Sequence, residues 1–78
     1  MPYIKEGDRS EALLDPRTPG ELNYSFTVTA KDYLRLKGLS YTHINDVLGA
    51  LEGAKLEFYR RVVVPYEEGK IKENGDVY

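Results

Sequence analysis

At 78 residues the chain has room for one domain, spanning 1–78, whose core is small relative to its surface. It contains no cysteine and a single histidine, His43, which excludes disulfides, thiolate-held metals and an imidazole-rich metal site. Thirteen acidic against eleven basic residues give a net charge of −2, the wrong balance for a protein that neutralises a phosphate backbone, so general nucleic-acid binding is not expected.

Chains of this size usually gain support from disulfides, a metal or partner subunits. With the first two removed, self-association is the expected support. The longest apolar run, Val62-Val63-Val64-Pro65-Tyr66, is far short of the ~20 residues a membrane span needs. Met1-Pro2-Tyr3-Ile4-Lys5-Glu6 lacks the basic-then-apolar order of a signal peptide. A cytoplasmic protein with no membrane partner is therefore expected. Seven tyrosines against two phenylalanines supply rings with an apolar body and a polar tip, suited to the rim of a thin core or to an interface.

In chain order, residues 1–17 read as an irregular arm. Asp8 to Leu14 has the length for a helical turn or two, which Asp15-Pro16 ends, because a residue before proline is pushed out of the helical region. Thr18-Pro19-Gly20-Glu21 is a helix start. Thr18 caps, Pro19 stands where its missing N–H is harmless, and Glu21 completes a capping box. Leu22, Phe26, Thr29 or Ala30, Tyr33 and Leu36 then recur on one helical face. The same stretch contains Tyr24-Ser25-Phe26-Thr27-Val28-Thr29-Ala30, whose alternation also fits a strand. The cap and the downstream spacing favour helix over 19–37.

Gly38 is the stop signal, with Arg35 and Lys37 placed at the negative end of the dipole. Leu39 has two expected contacts, Leu34 before it and Ile44 after it, and Ser40 is the next cap. A three-residue link makes the two helices antiparallel neighbours. The second helix is expected over 41–64, about 36 Å long at 1.5 Å per residue. Ile44, Val47, Leu48, Leu51, Ala54, Phe58 and Val62 form its core seam, and Glu57 and Arg61 an i,i+4 ion pair. Pro65 ends or kinks it, leaving 66–78 as a charged tail. The fold class is all-α, a helical hairpin with irregular ends that assembles as a homo-oligomer, at least a dimer.

Pro2-Tyr3-Ile4-Lys5, Pro19-Gly20-Glu21-Leu22-Asn23-Tyr24, Lys55-Leu56-Glu57-Phe58-Tyr59-Arg60-Arg61-Val62 and Lys70-Ile71-Lys72-Glu73-Asn74-Gly75-Asp76-Val77-Tyr78 resemble a family of short prokaryotic and phage proteins of unknown function. The likeness covers most of the chain, but between Arg9 and Pro19 the relatives look longer and more helical. It implies an α-helical fold with associating subunits. It supplies no catalytic or binding residues to transfer.

The chemistry available is sparse. A nucleophilic triad needs a base, and only His43 is on offer, in the first turn of the long helix near its positive dipole end. The bland reading of His43 is a capping or exposed residue. Glu67 and Glu68 are adjacent in a polar stretch rather than converging as a catalytic carboxylate pair. Glu73-Asn74-Gly75-Asp76 lacks the ligand count of a calcium loop. No phosphate-binding loop or dinucleotide fingerprint is present. The expectation is no catalytic residue, no metal and no cofactor.

Two features remain. Gly49 and Gly53 each cost about 1 kcal/mol relative to alanine inside a helix. By helical angle they share a face with Asn45, Leu56, Arg60 and Val63, opposite the seam. Gly49, Gly53, Leu56 and Val63 are the expected interface residues. The competing readings are that the helix merely tolerates glycine or that the glycines let a ligand come close. Tyr59-Arg60-Arg61 combines a stacking ring with two planar forks for carboxylate or phosphate. Its alternative is ion pairing with Glu52, Glu57, Glu67 or Glu68. The expected ligand residues are Arg60, Asn45, Tyr59 and Arg61. The expected function is a non-catalytic binding protein. In its sharper form, drawn from the family resemblance and the arginine–tyrosine patch, it is a phage-type anti-defence inhibitor sequestering a small anionic or nucleotide-like signal at a subunit interface. The alternative is a structural or protein-interaction module with no small-molecule ligand.

Overall fold

The computed structural model describes residues 5–9 and 14–78. Glu6–Asp8 forms a single 3-10 turn. The helical turns expected over 8–14 fall mostly on residues outside the described ones. Helix α1 runs Pro19–Lys37, and α2 runs Tyr41–Phe58. A π-helical segment follows over Tyr59–Val63, and α3 covers Val64–Asn74. There is no strand among the described residues.

The chain divides into two compact units, Met1–Ile44 and Asn45–Tyr78. In the first, the Thr18 hydroxyl accepts the Glu21 N–H at 3.1 Å, as a cap should. The reciprocal bond is displaced by one residue. The Glu21 carboxylate accepts from the Arg17 N–H at 2.9 Å rather than from Thr18. The strand-like alternation resolves as helix, and Thr27 shows how a hydroxyl residue fits there. Its hydroxyl donates to the Asn23 carbonyl at 2.9 Å, the i−4 position.

Gly38 closes α1 with φ 99° and ψ 146°, backbone that favours glycine, while its N–H donates to the Leu34 carbonyl at 2.7 Å. Ser40 caps α2 through its hydroxyl, which accepts the His43 N–H at 3.2 Å. The staple expected of Leu39 does not cover it, since Leu39 is 80% exposed.

In the second unit the helix does not stop near Val64. It continues to Asn74, so only Gly75–Tyr78 is non-helical tail. Pro65 is accommodated by the π-helical segment just before it. In an unbroken α-helix Pro65 could not donate to the Arg61 carbonyl, and its ring would press on that oxygen. One wider turn removes the conflict, and the Val64 N–H donates to the Tyr59 carbonyl five residues back. Pro65 then stands in the first turn of α3, where proline is tolerated. Gly75 ends α3 as Gly38 ends α1, with φ 84° and its N–H on the Ile71 carbonyl at 2.7 Å.

None of the described side chains is buried. Along α1 the half-covered residues include Tyr24, Val28, Ala30 and Leu34, whereas Phe26 and Leu36 of the expected stripe lie open. In the second unit, Leu48, Phe58 and Val62 of the expected seam are at least half exposed. Among the described residues the seams are legible as helical stripes whose side chains stay partly open.

Candidate functional site

All eight sequence-derived site residues belong to the second unit. Asn45, Gly49, Gly53 and Leu56 stand on α2, while Tyr59, Arg60, Arg61 and Val63 lie in the π-helical segment. An extra residue in a helix turn is a common device at functional sites, because it re-aims side chains without breaking the helix.

An open depression of about 520 Å³ is lined by Gly53, Leu56, Glu57, Tyr59, Arg60 and Val64. It brings four of the expected residues together. Arg61 and Val63 are not part of it, and Val63 is half-buried. Asn45 is fifteen residues before Arg60, roughly 22 Å along a helix at 1.5 Å per residue. One small ligand cannot touch both residues of the same subunit. Helical angle places them on one face, and the rise along the helix separates them.

Glu57 organises the basic patch. One oxygen of its carboxylate pairs with Arg60 Nη2, and the other accepts from Arg61 Nε at 2.7 Å. The sequence names Glu57 as the i,i+4 partner of Arg61 and as one of four acids within reach of both arginines. Positions i+3 and i+4 both lie over Glu57 on a helix, so the double pairing was available from spacing. The Arg60 and Arg61 side chains remain 71% and 76% exposed, so these pairs are solvated and weak. The Tyr59 hydroxyl points to Glu67 Oε1 at 3.5 Å, the outer limit of a hydrogen bond.

His43 has a positional role. Its Nδ1 is 2.8 Å from the Gly38 carbonyl oxygen, tying the first turn of α2 to the end of α1. The Asp76 carboxylate accepts the Tyr78 N–H at 2.9 Å, and Lys70 Nζ lies 3.3 Å from Glu73. No group of three or more histidine, aspartate or glutamate side chains converges on a metal-sized site among the described residues. Nor, among them, is any helix long and apolar enough to cross a membrane.

The chain matches the family described as Domain of unknown function (DUF6899) over residues 1–77. It belongs to this family. No curated protein and no solved structure matches it. Membership of DUF6899 is consistent with the expectation of a family of unknown function and adds no assigned activity.

A second depression, about 450 Å³, was missed from sequence because 66–78 was read as a solvated tail. Tyr66, Lys70, Ile71 and Gly75–Tyr78 contribute to it. Lys70 Nζ stands 5.5 Å from the Tyr66 ring centroid, a cation–π contact whose i,i+4 spacing was the available signal.

Proposed function

We propose that this DUF6899 chain is one subunit of a homo-oligomeric, non-catalytic binding protein, and that its ligand is a small anion held at Tyr59 and Arg60. One observation carries the reading: large apolar side chains stand open along helices in which no described side chain is buried. Leu48, Leu51, Leu56, Phe58 and Val62 are 43–60% exposed. Covering what remains of each is worth about 1 kcal/mol. Leu56 lies on the glycine face and the other four on the seam, and a second copy is a partner of matching chemistry for both.

The anionic ligand follows from the arginine pair beside an apolar-floored depression. Arginine forks match carboxylate and phosphate oxygens, and the Tyr59 ring offers a stacking surface. Sequestration of a nucleotide-like signal by a phage-type inhibitor in the cytoplasm is the biological form that such a non-catalytic site serves. Native mass spectrometry of the purified protein tests both parts. A dimer or larger assembly carrying a retained phosphate-bearing molecule is expected. A folded monomer at high concentration, with nothing bound, sinks the reading.

A protein-interaction module is the second reading. It is favoured by Glu57 already engaging both arginines in the chain itself.

A further inference from the structure

Glu57 holds the position that an anionic ligand of Arg60 and Arg61 would take. Its two oxygens meet two different guanidinium groups, one on Arg60 Nη2 and the other 2.7 Å from Arg61 Nε. That is the arrangement two oxygens of a phosphate adopt between two arginines. The carboxylate's hold is weak. Its own side chain is half exposed, both arginines are more than two-thirds exposed, and exposed pairs contribute little. Releasing Glu57 to water leaves no buried charge behind. Gly53, Leu56 and Val64 line the adjoining depression, which has room for the organic body of a ligand.

We propose that Glu57 is a built-in competitor. It occupies the arginine pair in the free protein and yields it to a phosphate-bearing anion, selecting doubly charged ligands over singly charged ones. One carboxylate against two guanidinium groups leaves a local charge of one positive unit. A carboxylate ligand replaces like with like and gains nothing for the freedom it loses. A phosphomonoester or diphosphate neutralises both arginines. This inference rests on the arginine site proposed above.

Calorimetry at low salt with inorganic pyrophosphate as the probe tests it, with acetate as the singly charged comparison. The variants are Glu57→Gln, Glu57→Ala, Arg60→Ala and Glu57→Gln combined with Arg60→Ala. Glu52→Gln is the control, since Glu52 is paired with Lys55 at 3.4 Å and does not line the depression. Removing one negative charge within about 4 Å of a divalent anion should tighten pyrophosphate binding roughly tenfold. Glu57→Gln and Glu57→Ala should both show this gain, Glu52→Gln should not, and adding Arg60→Ala should abolish it. A much smaller gain for acetate is expected. Equal pyrophosphate affinity in wild type and both Glu57 variants, with loss on Arg60→Ala, overturns the competitor while leaving the arginine site standing. No binding by any of them overturns both.

Discussion

The Val64 N–H donates to the carbonyl of Tyr59, five residues back, where an α-helix would use Arg60. That wider turn is why α3 exists as a continuation of α2 rather than as a tail. It also places Tyr59, Arg60 and Arg61 in a stretch whose backbone departs from α-helical spacing.

Pro65→Ala tests the cause of the wide turn. The substitution returns an N–H that the Arg61 carbonyl can accept, so the α-helical register becomes available through the segment. Helix content should be retained and stability should rise by about 1 kcal/mol, a fraction of the penalty that proline carries in a helix interior. Amide hydrogen exchange is the direct readout. The new amide at position 65 should be protected; exchange at a solvent-exposed rate would mean that the π-helical turn has another cause.

The helix ends give a second prediction. Thr18→Ala removes the acceptor for the Glu21 N–H and should lower stability by about 1 kcal/mol in a urea titration. His43→Ala removes the ring nitrogen that lies 2.8 Å from the Gly38 carbonyl and should cost a similar amount, about 1 kcal/mol. A His43→Ala chain as stable as the parent would show that water replaces the imidazole without loss.

Much of the fold is legible in local chemistry. Thr18, Gly38 and Ser40 mark helix boundaries because each satisfies backbone groups that no neighbouring turn can serve. The strand-like run Tyr24–Ala30 yielded because a hydroxyl can bond back to the preceding turn, as Thr27 does. Pro65 usually stops or kinks a helix, and the one-residue widening that accommodates it here is a backbone adjustment that side-chain periodicity does not announce. At the site, Arg60 and Tyr59 were legible and Glu57 was seen in part. Angle alone placed Asn45 with Arg60. Rise along the helix separates them, and a face read from a helical wheel contains no such information.

Gly53 offers a third test. A Cβ built there meets nothing within 4 Å, so the chain itself does not require glycine at this position. Gly53→Ala should therefore stabilise the helix by about 1 kcal/mol in the dilute, dissociated protein. Gly53→Leu keeps the helix but places a large side chain where a second copy is proposed to approach. Sedimentation equilibrium should show association weakened at least tenfold. Unchanged association in Gly53→Leu would reduce the glycine to a tolerated helix residue.

The two arginines should differ, although both touch Glu57. Arg60 lines the depression and Arg61 does not. A charge-assisted contact to phosphate is typically worth about 1.5–3 kcal/mol, so Arg60→Ala should weaken an anionic ligand roughly ten- to a hundredfold. Arg61→Ala removes the outer guanidinium of the pair, which stands outside the depression, and leaves Glu57 to bind Arg60 alone. A loss of roughly two- to fivefold is expected there, within the modest range of exposed ion pairs. Salt separates the contributions. Raising ionic strength from about 50 to 200 mM should weaken wild-type binding more than the residual binding of Arg60→Ala, which has one guanidinium fewer for salt to screen. Calorimetry against nucleotides and cyclic nucleotides, with circular dichroism to confirm unchanged helicity, measures all of this. Equal losses from both variants, accompanied by dissociation of the oligomer, would assign the arginines to holding subunits together instead of holding a ligand.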